Sequence, residues 1–503
     1  MRRLHKFLLS FLVIPFLVGC NKKGEKPEAA KLTGLVGQEI SYYVGEENCT
    51  VSFEVPSLLS YKTEGKSVIF DLNKTGTTQF KVLKDGSQLR QGTVSIYNFS
   101  YKGERSTVLG RSTTVSPVGV EGDYKFASSD NSIAQINNSG VIFPIKEGSV
   151  DISLTYDGAT YSRKFYVIPQ TQELDKFYID GGEVNFFGRN DFSNDGVTFY
   201  NGASGFEVKF AGKYLKANMS GYFASYYGYS KIQVEVDDMD PYVMDLNKGS
   251  NLFEYTLCGP IADDLHVVRV YKVGECGATE MFLNSLTTDG YFLYANEKRD
   301  LKIEVYGDSI TAGYGNMRGA GTADGNSAVW QNTMHTYELY AARELNAECN
   351  IMARSGIGLQ FAENIVGDFN MNTRYEYMHP LSTVKWNMHN YIPDVVVINL
   401  GTNDAWNSSK FVRTDFVGAY VQLVENLIGW YGYNTKYVIS CGLMSQGNAI
   451  FPVLQSDIYP QLLALGVEVE CLKFTNSTSG GHPLDSEHRI AGALLAETIN
   501  NLL

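Results

Sequence analysis

The sequence predicts a multidomain chain, β-rich up to residue 300 and α/β with a parallel sheet from Leu301 onward. Three observations predict it. Before residue 300, short apolar-polar alternations recur between Gly, Asn and Asp turn signals, the pattern of half-buried strands. The 33 Tyr and 49 Gly, against only 13 Pro, fit turn-rich β structure. After Leu301, runs rich in Val and Ile alternate with helical stretches, as in sheets buried on both faces. A length of 503 residues with 44% hydrophobic content supports several cores.

The first segment reads as a leader. Arg2, Arg3 and Lys6 precede an apolar run from Phe7 to Val18 that is short for a membrane span. It ends in "LVGC", which resembles the lipobox of bacterial lipoproteins. That resemblance implies a signal peptide over 1–20, lipidation of Cys20, and anchorage in a bacterial cell envelope, on its periplasmic or surface side. The following "NKKGEKPEAAK" is polar and Pro-containing, so 21–34 is read as a linker. A net charge of −13 argues against nucleic acid and anionic membrane surfaces as partners, leaving the lipid anchor as the membrane contact. Cys49, Cys258, Cys276, Cys349, Cys441 and Cys471 are too sparse for a disulfide scaffold or a metal site. Cys258 and Cys276 could pair, or remain buried thiols.

Four or more strand-like runs, including "CTVSFEV", "SVIFDL", "TQFKVL" and "GTVSIYN", make 35–98 a small β-sandwich. A second unit over 99–169 carries "SSDNSIAQINNSGVIFPIKEG". That stretch resembles the bacterial Ig-like repeat, and both units are read as Ig-like spacers without candidate catalytic groups. "IPQTQEL" is a linker. Over 172–300, "GFEVKFAG", "KIQVEVDD" and "LHVVRVYKV" alternate in a larger sandwich of jelly-roll type.

From 301 to 503, strands such as "LKIEVYG", "CNIMAR", "PDVVVINLG" and "KYVISCG" alternate with helical runs. Ligands in such a sheet bind at the carboxyl ends of the strands. Four motifs fall there: "GDSIT" with Ser309, "RSGIG" with Gly356, "LGTND" with Asn403, and "GGHPLDSEH" with His482. A serine at a strand end, with its N–H at a helix start, presents a fixed nucleophile, although Asp308 and Ser309 would also suit a helix cap.

The four residue types in this order resemble the SGNH hydrolases. The resemblance implies that Ser309 is the nucleophile and His482 the base. It also implies an oxyanion hole from the N–H groups of Ser309 and Gly356 and the amide of Asn403. No metal or cofactor is implied. "GDSITAGYGN", "TYELYAARELNAE", "SGIGL", the "GR" at Gly188 and Arg189, and "HVVRVYKVGE" resemble carbohydrate esterase family 2 over about 175–503. Those enzymes pair a jelly roll with an SGNH domain and deacetylate plant polysaccharides such as xylan and glucomannan. The expected partner is therefore an acetylated polysaccharide or oligosaccharide. The alternatives are a catalytically silent glycan-binding lipoprotein or a hydrolase of another acyl ester.

One departure stands out. SGNH enzymes usually place an Asp two or three residues before the His, where this chain has Gly480 and Ser479. Some family 2 members use a Ser-His dyad with a backbone carbonyl instead, and that arrangement is the expectation here. Asp485 and Glu487 read as caps of the last helix, with His488 as the reserve base. Trp330 and Trp406, near the first and third motifs, are candidate sugar-stacking residues, whereas Trp386 reads as core.

Overall fold

The computed structural model describes residues 29–503 except 180, 250, 297, 361–368 and 407–410. The expected leader, Cys20 and most of the linker lie outside the described residues. The chain divides into two compact units between Gln170 and Thr171. Among the described residues no helix is long and apolar enough to cross a membrane.

The first unit contains two pairs of sheets. In the first pair, Ala30–Leu35, Ser87–Tyr97, Gly76–Lys84 and Thr50–Phe53 form one sheet, and Glu39–Tyr43, Ser67–Leu72 and Leu59–Glu64 form the other. Leu32, Phe80 and Val94 of the first share a core with Ile40, Phe70 and Leu72 of the second. The strand Ala30–Leu35 corrects the linker reading of 21–34, because it pairs in parallel with Ser87–Tyr97, from Ala30 opposite Gly92 to Leu35 opposite Tyr97. Gly92 admits it: a Cβ there would lie 2.4 Å from the Ala30 carbonyl oxygen. In the second pair, Val115 and Ile142 pack against Phe126, Ile152 and Phe165 of the facing sheet.

The second unit begins with two antiparallel sheets. One runs Asn190–Ser193, Gly196–Phe199, Thr279–Thr288, Leu215–Phe223, Phe253–Cys258; the other runs Val184–Phe187, Gly205–Gly212, Asp264–Lys272, Ser230–Val236, Tyr242–Leu246. Alternate residues of each face one core, in which Phe199, Met219 and Leu283 meet Phe206, Val234 and Val268. Cys258 and Cys276 are buried free thiols.

A five-stranded parallel sheet follows, in the order Glu348–Ala353, Lys302–Gly307, Val395–Asn399, Lys436–Cys441, Val469–Lys473. Every residue of Val395–Asn399 is buried, which explains its unbroken apolar run. Helix Arg413–Tyr431 turns Phe416, Tyr420, Leu423 and Leu427 onto one face of the sheet, a spacing of three to four residues. Helices Tyr337–Glu344 and Asp485–Leu502 cover the other with Ala341, Leu495 and Ile499. Strand order reverses about Lys302–Gly307, which opens a crevice at its carboxyl end.

The antiparallel sandwich and the parallel-sheet domain share a buried polar joint. Arg189 and Glu304 are each 1% exposed, and Arg189 Nη2 donates to Glu304 Oε1 at 2.9 Å. Nη1 donates to the carbonyls of Tyr375 and Tyr377, at 2.6 and 2.7 Å. Glu304 Oε2 accepts from the hydroxyls of Tyr306, at 2.7 Å, and Tyr431, so both carboxylate oxygens are compensated, while Arg189 Nε has no hydrogen-bond partner among the described residues.

Candidate active site

Strand Lys302–Gly307 delivers the first group. A Cβ at Gly307 would sit 1.9 Å from Thr311 Oγ1, so only glycine lets the chain turn directly into helix Ser309–Ala312. Asp308 caps that helix by accepting from the Ile310 amide at 3.0 Å. Ser309 is thereby fixed at the crevice and is 5% exposed.

The second and third motifs are tied together. Gly356 has φ of +84°, a conformation that favours glycine. Asp404 is fully buried and accepts from the amides of Leu359, at 3.1 and 3.0 Å, and Gln360, at 2.8 Å. It thus clamps the Gly356 loop to helix Thr402–Trp406. Asn403 donates one amide hydrogen to the Ile357 carbonyl at 2.8 Å, which orients its Nδ2 and leaves the second hydrogen for a ligand.

His482 Nε2 lies 2.8 Å from Ser309 Oγ. On the other side of the ring, Nδ1 lies 2.8 Å from Asp324 Oδ2, and the same oxygen is 3.2 Å from the His482 amide. A carboxylate can only accept, so Nδ1 carries the proton and Nε2 is free to take one from serine. Burial opposes ionisation of Asp324, but the hydrogen bonds and charge of His482, with Arg318, hold its carboxyl below the usual range. The expected dyad with a backbone carbonyl is therefore corrected: a carboxylate takes the place at Nδ1. Arg318, 4% exposed, occupies the His482 carbonyl instead, donating from Nη2 at 2.7 Å. Its Nη1 donates to Gly315 O at 2.9 Å and lies 3.6 Å from Asp324 Oδ1.

The acid came from a loop that carries no strand or helix periodicity, which hid it from sequence reasoning. Asp485 and Glu487 serve elsewhere. Asp485 Oδ1 pairs with His335 Nδ1 at 3.2 Å and accepts from Tyr340. Glu487 accepts from the Leu484 amide at 2.8 Å, as a helix cap does. His488 is ruled out as reserve base, because it is fully buried, accepts from the Tyr337 amide at 3.2 Å, and burial pushes it down to about 3.

Ser309, Gly356, Asn403, Trp406 and His482 line one cleft with a cavity volume of about 330 Å³. Trp406 is 54% exposed at its rim. Trp330 does not line this cleft, correcting its assignment as a sugar-stacking residue: its indole packs over Gly325, where a Cβ would lie 3.3 Å away. Trp386 is buried. Sequence reasoning missed Tyr314, whose ring lies 4.3 Å from that of His482, and Arg354 and Ser355 on the cleft wall. Arg354 Nη1 and Ser355 Oγ are buried with no hydrogen-bond partner among the described residues. Their place within "RSGIG" was the available signal. A second cavity of about 290 Å³, walled by Phe187, Tyr271 and Trp386, holds no member of this constellation. Among the described residues no group of His, Cys, Asp and Glu is arranged to hold a metal ion.

A parallel sheet presenting serine, histidine and aspartate in a hydrogen-bonded row, with amide donors beside the serine, defines a serine hydrolase domain of the carboxylic ester class. Comparison with known families agrees. Residues 303–440 match GDSL-like Lipase/Acylhydrolase, and 186–295 match the Carbohydrate esterase 2 N-terminal family. The chain therefore carries a GDSL-like hydrolase domain behind a carbohydrate esterase 2 N-terminal domain. It is 37% identical over 172 residues to the cellulase/esterase CelE of Acetivibrio thermocellus, a match covering 34% of this chain and only 21% of that protein. An acetylxylan esterase / glucomannan deacetylase of Cellvibrio japonicus is 28% identical over 254 residues, covering 49% of this chain and 67% of that one. Among solved structures, a family two carbohydrate esterase from Clostridium thermocellum in complex with cellohexaose superposes with a TM-score of 0.57 at 27% identity. That match covers 63% of this chain and 98% of the other.

Proposed function

We propose that this protein is an esterase that removes O-acetyl groups from plant polysaccharides of the xylan or glucomannan type. The observation that carries the proposal is the row Ser309, His482, Asp324, joined by two 2.8 Å contacts at the floor of an open cleft. The relatives named as acetylxylan esterases support the substrate class. Ser309 Oγ attacks the acetyl carbonyl while His482 Nε2 takes its proton, and Asp324 stabilises the resulting imidazolium. The oxyanion is received by the N–H groups of Ser309 and Gly356 and the free amide hydrogen of Asn403. His482 then protonates the departing sugar oxygen, and water releases acetate by the same steps reversed. The unpartnered Arg354 Nη1 and Ser355 Oγ are suited to sugar hydroxyls. The "LVGC" segment supports export and a lipid anchor at Cys20, which would hold the enzyme at the cell envelope.

The test is mass spectrometry of acetylated xylan and glucomannan fragments before and after incubation with wild type and Ser309→Ala. Loss of acetyl groups with wild type alone is the expected result. Binding without deacetylation would make the protein a glycan-binding lipoprotein. Preference for longer p-nitrophenyl esters over the acetate would assign another acyl group.

A further inference from the structure

The antiparallel sandwich contributes more than support to the cleft. Glu275, on the loop after strand Asp264–Lys272, accepts from the Ser355 amide at 2.9 Å and so braces the cleft wall from the sandwich side. Next to it lies the segment "YFASYYGYS", residues 222–230, between strands Leu215–Phe223 and Ser230–Val236. Tyr227 of this segment is buried, and its hydroxyl donates to Gln331 Oε1 at 2.6 Å. Gln331 Nε2 in turn donates to the carbonyl of Ala312, at the end of the nucleophile's helix, at 2.7 Å. The Tyr227 carbonyl accepts from the Ala328 amide at 3.0 Å, on the loop that carries Asp324. The segment is therefore bolted to the catalytic machinery through its one inward tyrosine.

Its other tyrosines point outward. Tyr222, Tyr226 and Tyr229 are 49%, 73% and 50% exposed. They are joined into one surface: the Tyr229 ring lies 6.3 Å from Phe223, and Lys248 Nζ lies 4.6 Å from the Phe223 ring and 5.9 Å from that of Tyr222. The nearest geometric link to the cleft is Glu275, which holds the amide of Ser355, a residue of the cleft wall.

An aromatic surface of this exposure is costly unless something covers it. Tyrosine rings offer apolar faces to the C–H faces of pyranose rings and hydroxyls to their oxygens. We infer that Tyr222, Tyr226 and Tyr229, with Lys248, form a platform on the sandwich domain that holds the polysaccharide main chain as it leaves the catalytic cleft. The inference rests on the glycan-esterase reading and adds to it a second point of attachment.

The experiment compares wild type with the triple variant Tyr222→Ala/Tyr226→Ala/Tyr229→Ala. Three readouts are used: affinity electrophoresis in acetylated and deacetylated glucomannan and xylan, kcat/KM on acetylated polymer relative to p-nitrophenyl acetate, and light scattering. The variant is expected to lose retardation in the gels, and its polymer-to-small-ester ratio should fall by about tenfold or more, the size of one lost binding anchor. Unchanged retardation and an unchanged ratio overturn the platform. So does a wild type that binds no glycan, or self-association that the variant abolishes while glycan binding persists, since the patch would then belong to a second copy. Glycan retardation that depends on the tyrosines, with no deacetylation of any polymer, upholds the platform and overturns the esterase reading.

Discussion

Asp324 reaches across 158 positions of sequence to lie 2.8 Å from Nδ1 of His482, in the place where the chain has no nearby acid. The contact fixes the tautomer that catalysis needs. Asp324→Asn should preserve the fold and lower kcat on p-nitrophenyl acetate by between a hundredfold and ~10⁴-fold, with KM little changed. Asp485→Ala, which removes a carboxylate that faces His335 and Tyr340 instead, should keep more than about a tenth of wild-type kcat. Equal activities in the two variants would remove Asp324 from the mechanism.

Arg318 links both sides of that contact, through the His482 carbonyl and the Asp324 carboxylate. Removing its charge takes away a group that helps keep Asp324 ionised. In Arg318→Met the Asp324 pKa therefore rises, and the loss of activity on acidification should begin at higher pH than in wild type. Arg318→Lys, which keeps the charge but not the forked geometry, should restore the pH profile more than kcat. A pH–rate profile of the three proteins decides this, and superimposable acid limbs would show that Arg318 only packs.

The difference between what sequence and structure revealed follows from range. Ser309, Gly356, Asn403 and His482 sit at strand ends or before a helix, so local patterning marks them. Asp324 lies among Gly321, Thr322, Ala323, Gly325 and Asn326, where no periodicity exists to read. The one local trace is Gly481, where a Cβ would lie 2.6 Å from Asp324 Cγ: the glycine before the histidine makes room for a distant acid. The strand Ala30–Leu35 was hidden likewise, since its partner strand is more than fifty residues on. Trp330 shows the converse, a side chain near the first motif in sequence whose ring is spent on packing over Gly325.

Arg189 and Glu304 make the sandwich and the parallel-sheet domain interdependent. Arg189→Met leaves Glu304 buried without its cation, at a cost of about 3–5 kcal/mol. Its urea midpoint should fall accordingly. A fragment of residues 301–503, which loses Arg189 together with the Glu275 brace, should be insoluble or inactive, whereas 172–503 keeps both and should match full-length activity on p-nitrophenyl acetate. A soluble, fully active 301–503 fragment would show that the joint is dispensable.

His488 imposes a pH dependence on stability that is separate from catalysis. Burial holds its folded pKa down to about 3, against an ordinary 6.5, and the nearby Asp485 and Glu487 charges only partly offset this. Between those values the unfolded chain binds the proton and the folded chain does not. Stability contributed by this site is therefore complete above about 6.5 and declines as pH falls toward 3, by at most about 1.4 kcal/mol per pH unit. His488→Asn offers a neutral side chain of similar reach and cannot take up that proton. Urea unfolding of both proteins at pH 7, 6, 5 and 4 should give curves whose difference narrows steadily with acidification, as wild type loses stability faster than the variant. A constant difference across that range would mean that His488 titrates normally in the folded state, and that the histidine is not held neutral against the start of helix Tyr337–Glu344.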